Sequence, residues 1–301
     1  MRQSSPEQKG SMSLKRQRNL VILVFSAIPV LLLVLFTYLP FEKMIEFSFF
    51  KMKYLGPREF VGLDNYKNVF TRKDTLKALL NSFYYVGSGL LELALALLFA
   101  NILCGKVRGK NFFKATLFFP YLICGLAVGF IFRFFYTRGA VLDSFLHFFG
   151  IPLDKLPYWL KDQKINNFSI AFTSLWRYTG RSMVLFIGAI QSVSPEYFEA
   201  SSIDGATKWQ QFRYITMPTI RPIVMINVML SIKGAFSAFE GPFVVTYGLN
   251  GTATSVVIMH QLAHEFGKVG LASAMAIVLL AIILLLSWLQ QKLYNHFFKE
   301  A

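Results

Sequence analysis

Few side chains in this 301-residue sequence have the types and spacing to do chemistry: four histidines, two cysteines and some ionisable residues set inside apolar runs. His260 and His264 stand four apart in HQLAH, a spacing that can turn two imidazoles toward one metal ion. The metallohydrolase pattern HExxH needs a glutamate where this chain has Gln261, so the two read as polar residues of an outer loop. Cys104 and Cys124 sit in or beside apolar runs without CxxC spacing and read as small apolar helix residues rather than a disulfide pair. No G-x-S-x-G elbow and no Cys/His constellation occurs. The phosphate-cradling GxxxxGK[ST] is also missing, because Gly105-Lys106, Gly109-Lys110 and Gly267-Lys268 are each followed by Val or Asn. Any ATP dependence must therefore be supplied by another polypeptide. What remains is charge in apolar surroundings. Arg177 and Arg181 are four apart, on one helix face, and Lys233 and Glu240 lie in another apolar run. Such residues face a bundle interior or an aqueous cavity. A guanidinium there needs a partner. Ion pairing of Arg181 or Lys233 with Glu240 or Glu92 is one reading, and direct contact with a cargo molecule is the other.

The elements that must position these residues are membrane helices. The chain is 54% apolar, 16% aromatic and 16% charged, with mean hydropathy +0.48, which is too apolar and too poor in charge for an ordinary soluble domain. Runs near the ~20 residues needed to cross a bilayer fall at 20–40, 80–104, 112–136, 168–192, 219–246 and 270–291. The expected fold is all-α and polytopic, with six spans and both termini on one side. The first run follows Lys15, Arg16 and Arg18, yet it exceeds a signal-peptide h-region and has no A-x-A site, so it reads as an uncleaved span. Residues 1–19 form a polar N-terminal tail and 20–301 one six-span domain. The net charge of +15 lacks the basic face with interleaved aromatics that nucleic acid requires. Lysines and arginines divide almost evenly between the two sets of loops. However, Lys106, Arg108, Lys110 and Lys114 crowd one short acid-free loop, which favours that side as cytoplasmic, N-in and C-in. Residues 41–77 mix aromatics with both charge signs, as an interfacial amphipathic element or a folded loop would.

Between the fourth and fifth runs lies a polar segment, EASSIDGATKWQQFRYITMPTIRP, and its flank SPEYF. Ser194 can N-cap a short helix with Pro195 in its first turn. Gly205 can close that helix in the left-handed conformation. Thr207 and Gln210 have capping-box spacing for a second helix, which Pro218 should terminate or redirect. Residues 194–218 thus read as two short helices hinged at a glycine, suited to docking.

At Glu199-Ala200, Asp204-Gly205-Ala206, Phe212, Ile215, Pro218 and Pro222 the segment resembles the EAA loop of permease subunits in ATP-binding-cassette importers. FVGLDNYKNVF (60–70) and LWRYTG (175–180) resemble the carbohydrate-uptake branch. The resemblance extends from about Leu20 to Leu293. It departs at Ser201 and Ser202, where alanine is more usual at the first, and at Leu249-Asn250, where a TxGGP turn is usual. It implies a type I importer permease fold in a bacterial plasma membrane and import by alternating access. Its partners would be a second permease, two ATPase subunits that hold ATP and Mg, and an extracytoplasmic solute-binding protein. Glu199, Ala200, Asp204, Gly205, Ala206 and Pro218 would couple to the ATPase. Arg177, Tyr178, Arg181, Ser231, Gly234, Ala235 and Ala238 match positions lining the sugar site of maltose-type permeases, and Glu240 joins them as a charged neighbour. The small residues suggest a bulky cargo, an oligosaccharide, with a carboxylate on either Glu240 or the cargo to match the arginines. The alternatives are a permease for a non-sugar cargo and a polytopic membrane enzyme.

Overall fold

The structure, a computed structural model, describes residues 14–298. Residues 1–13 of the expected tail lie outside the described residues, and the first helix already includes residues 14–19. Helix α1 (Leu14–Leu33) passes through one wide π turn at Val34–Tyr38 into α2 (Leu39–Ser48). At ~1.5 Å per residue this rod is about 50 Å long. It is apolar between Leu20 and Phe41, with charged residues at both ends, and its most hydrophobic stretch buries nothing inside the chain. A small hairpin, β1 (Phe50–Lys51) with β2 (Glu59–Phe60), pairs Phe50 with Phe60, a minor exception to the all-α expectation. Residues 41–77, expected as an interfacial amphipathic element or a folded loop, comprise the end of α2, this hairpin, α3 (Asp64–Thr71), which packs on the last helix, and the start of the helix that follows.

The bundle is built on α4 (Lys73–Cys104) and α8 (Asn166–Gln191), packed along each other, with α11 (Met217–Phe236) against α4 and α14 (Val269–Phe298) against α2 and α11. Leu93, Ala96, Ala100, Met183, Phe186, Ile190 and Ile220 form the main core where α4, α8 and α11 meet. Alanines at two successive turns of α4 let α8 approach closely. Short α7 (Val141–Phe148) and α13 (Ser255–His260) cap the opposite end.

Two expected spans are not continuous helices. Residues 112–136 form α5 (Lys110–Leu122) and α6 (Gly125–Phe135), bent by 97°. Pro120 removes a ladder donor in the last turn of α5, and Ile123 and Cys124 are extended before α6 restarts. Residues 219–246 are also divided. Helix α11 ends at Phe236 and α12 (Glu240–Thr246) begins after three non-helical residues, with Pro242 in its first turn. Pro242 needs no donor there. Among the described residues four helical stretches are long and apolar enough to cross a membrane, or five if α5 and α6 make one span. Helix α8 is long enough, but with Arg177 and Arg181 it is not among them. The count of six therefore remains an expectation.

Candidate functional site: a docking segment joined to a polar cavity

The docking segment folds as two capped pieces, with differences from expectation. Helix α9 (Pro195–Ile203) starts with Ser194 at the N-cap and Pro195 at the first position, but the Ser194 side chain makes no capping hydrogen bond. Gly205 closes α9 at φ +79°. The Gly205 N–H donates to Ser202 O at 3.2 Å and the Ala206 N–H to Ser201 O at 2.9 Å, the paired bonds of a Schellman cap. The capping box on α10 (Lys208–Gln211) is complete: Thr207 Oγ1 accepts from the Gln210 N–H, and Gln210 Oε1 accepts from the Thr207 N–H at 2.7 Å.

Pro218 does not end the second helix. Helix α10 runs through a π turn, Phe212–Thr216, directly into α11, where Pro218 occupies the first turn. In the wide turn the Met217 N–H reaches back to Phe212 O, and this shift of register absorbs the donor that proline lacks. The second half of the segment is therefore the foot of a long helix, not a separate short one.

A tie unforeseen in the sequence links the two halves. Gln211 is buried, and its amide donates to Phe198 O (3.2 Å), Ser201 Oγ (3.0 Å) and Ser202 Oγ (2.8 Å). The two serines that depart from the EAA pattern are thus its acceptors. Outside this tie, Glu199, Ala200, Asp204 and Pro218 are exposed and Ala206 is half-buried. Tyr197, Ile203, Trp209 and Tyr214 are 64%, 87%, 68% and 73% exposed. Bulky apolar side chains held outward on a capped polar scaffold are the composition of a protein-binding face.

The structure gathers all eight residues expected along the cargo path, Arg177, Tyr178, Arg181, Ser231, Gly234, Ala235, Ala238 and Glu240, around one cavity of about 520 Å³. It adds Tyr85, Ser88, Glu92, Asn227, Ser237 and Phe239. Tyr85, Ser88 and Glu92 follow helical spacing along one face of α4 (i, i+3, i+7), the signal that could have found them.

The ion pairing differs from the expected pairings of Arg181 or Lys233 with Glu240 or Glu92. Glu240 pairs with Arg177, Oε2 to Nη1 at 2.6 Å, rather than with Arg181 or Lys233. Lys233 is exposed and does not line the cavity. The break before α12 sets Glu240 over Gly125, the first residue of α6. A Cβ there would overlap the Glu240 carboxylate and the Arg177 guanidinium, so any larger residue at 125 has to displace the ends of these two side chains. Arg181 lies over the rings of Tyr121 and Tyr178, 5.7 and 5.4 Å from their centroids. Glu92 Oε1, Asn227 Oδ1 and Arg181 Nε are buried without a hydrogen-bond partner.

At the far end of the bundle the turn that departs from TxGGP holds its shape by other means. Tyr247, Gly248, Asn250 and Gly251 all have positive φ. Asn250 O accepts from the Asn166 amide (2.9 Å), and the Asn81 amide donates to Gly251 O and Ala253 O at 2.8 and 2.7 Å. The Tyr247 hydroxyl donates to Glu265 at 2.6 Å, which holds its proton above the usual phenol range. Cys104 and Cys124 are unpaired thiols.

Comparison with known proteins places this arrangement. Residues 12–299 match the family described as binding-protein-dependent transport system inner membrane component. The chain is 32% identical to the probable ABC transporter permease protein YurN of Bacillus subtilis, covering 92% of this chain and 97% of that one. It is 31% identical to the multiple sugar-binding transport system permease protein MsmF of Streptococcus mutans, covering 91% and 94%. In fold it is similar to a chain from the crystal structure of a bacterial alginate ABC transporter in complex with an alginate pentasaccharide-bound periplasmic protein. That match has a TM-score of 0.82 at 17% identity, over 94% of this chain and 96% of that one. A membrane enzyme is not among these readings. With capped docking segment, polar cavity and a family match over nearly its whole length, the chain belongs to the binding-protein-dependent transport system inner membrane components, as an ABC transporter permease subunit.

Proposed function

We propose that this permease imports carbohydrate, an oligosaccharide, across a bacterial plasma membrane. The observation that carries the reading is a connection. Helix α9 follows α8, which carries Arg177 and Arg181, and α10 continues into α11, which carries Asn227, Ser231 and Gly234. The exposed docking face is thus the direct link between two walls of the cavity, so a partner that tilts the segment moves both walls together. Two ATPase subunits are that partner and hold the ATP and Mg. A second permease completes the translocation path, and an extracytoplasmic solute-binding protein delivers the cargo. Tyr178, Ser231, Glu92 and Asn227 offer hydroxyl, carboxylate and amide groups to sugar hydroxyls. Gly234, Ala235 and Ala238 leave room for more than one sugar ring. Names of full-length relatives such as the multiple sugar-binding permease support this cargo class.

The test is purification of the tagged chain from its own membrane, followed by reconstitution. An ABC ATPase should co-purify, and liposomes holding the complex should accumulate a radiolabelled glycan only with internal ATP and external binding protein. Accumulation of an amino acid instead, or absence of the ATPase, overturns the reading.

A further inference from the structure

At the side of the cavity away from the docking segment, a row of rings continues outward from Phe239. Phe239 lines the cavity beside Glu240. Its ring stacks on Phe243 with centroids 4.7 Å apart and planes at 20°. Phe243 meets Tyr247 at 4.8 Å and His260 at 5.0 Å. His260 lies 4.7 Å from His264, which stacks on Tyr54 at 5.6 Å and hydrogen-bonds its hydroxyl at 3.1 Å.

Sequence spacing builds the row. Phe239, Phe243 and Tyr247 are four apart, on one face of α12 and its two ends. The other face, Pro242, Val244 and Val245, is buried, and Val244 packs against Gly129 of α6. His260 and His264 are joined by the π turn Gln261–Glu265, a local widening that often marks functional positions. None of the six rings is buried, and Tyr247 is 44% exposed. Among the described residues no group of three or more possible metal ligands includes these two histidines.

Partly exposed rings with hydrogen-bonding edges suit a ligand that has an apolar face and a hydroxyl rim. A sugar ring has both, whereas an acyl chain gains nothing from the tyrosine and histidine edges. Continuity with the cavity through Phe239 gives the row a direction. We infer that it is an outer sugar-binding track, on which successive rings of an oligosaccharide stack before entering the cavity. This rests on the carbohydrate reading above.

The test uses the complete importer in liposomes, with its ATPase subunits and binding protein. The probes are radiolabelled malto-, cello-, xylo- and arabino-pentasaccharides and the matching disaccharides. For whichever sugar the unsubstituted importer takes up, Phe243→Leu and Tyr247→Leu should lower pentasaccharide uptake per ATP hydrolysed by about threefold to tenfold, the range that loss of one stacking contact gives. The disaccharide should change by less than about twofold, because it spans less of the row. Phe243→Trp should restore uptake. Equal loss for both lengths, without rescue by tryptophan, would reduce the row to a packing element and overturn the inference. Loss of the second permease on purification of these variants would make it a subunit seam and overturn it too. Unchanged uptake when Phe243→Leu and Tyr247→Leu are combined would also sink it. If the unsubstituted importer takes up none of the sugars, the carbohydrate reading fails first and the track falls with it.

Discussion

Arg177 and Arg181 differ by one helical turn but hold their charge in different ways. Arg177 is neutralised by Glu240, whereas Arg181 is held over two aromatic faces with no carboxylate within ion-pair distance among the described residues. Arg177→Gln should strand the Glu240 charge, and Glu240→Gln added to it should recover part of the loss. Because the Glu240 side chain is 51% exposed, solvent screening holds the coupling to about 1 kcal/mol, roughly fivefold in uptake. Arg181→Gln should gain nothing from the same second change. A double-mutant cycle on uptake, run for both arginines, checks this. Coupling of Glu240 to Arg181 and not to Arg177 would contradict the geometry. The sequence showed that these charges lie in apolar runs, and the resemblance gave the cavity positions. It did not show which arginine takes the acid, because that depends on the break at residues 237–239, which moves Glu240 off the α11 helix path. A continuous span was the reading that apolarity alone favoured.

At the scale of the element, the docking segment was legible wherever local capping rules decide the structure. Gly205, Pro195 and the Thr207–Gln210 box are local chemistry, and each stands where its spacing put it. Of the two effects expected of Pro218, termination does not occur, because a proline's effect depends on the register of the helix entering it and one π turn changes that register. The Gln211 tie was invisible because its acceptors come from the preceding helix. Two predictions follow the same division. Gly205→Val places a β-branched residue at φ +79°, at a cost of about 1–2 kcal/mol. Nothing crowds the site within 4 Å, so backbone strain is the whole effect. Binding-protein-stimulated ATPase activity and uptake should fall while the protein still inserts in the membrane. Wild-type uptake at equal expression would count against coupling through α9. Gln211→Leu keeps the buried volume but removes the tie, worth about 1 kcal/mol. Ser201 and Ser202 retain their bonds to Phe198 O. Spin labels at Tyr197 and Tyr214 should then report a broader distance distribution than in the unsubstituted chain. An unchanged distribution would show that packing alone sets the angle.

For the whole molecule, the bundle has two chemically distinct ends, and its contacts identify which segments share each end. Phe198 and Ile215 of the docking segment pack in one cluster with Leu103, Cys104 and Val107, so the basic loop carrying Lys106, Arg108 and Lys110 lies at the docking end. Gln290 of α14 donates to Met225 O at 2.9 Å, which brings the C-terminal part of that helix to the same end. The Asn81–Gly251 and Asn166–Asn250 bonds, and the Val269 N–H to Met52 O, fix the opposite end. Counting lysines and arginines over whole loops could not separate the sides, since the long segments at the end opposite the docking segment also carry many basic residues and charge acts on topology mainly in short loops. The fold groups the short basic loop with the docking segment at one end of the bundle. If that end is cytoplasmic, sidedness is measurable with single cysteines introduced after Cys104 and Cys124 are replaced by alanine. Arg108→Cys and Trp209→Cys, both at exposed positions, should be shielded from a membrane-impermeant maleimide until cells are permeabilised. Asn68→Cys and Leu249→Cys, exposed at the other end, should react in intact cells. Reaction of the first pair and protection of the second would invert the protein in the membrane. The docking face would then lie outside the cell, away from any ATPase, and coupling through α9 would be excluded.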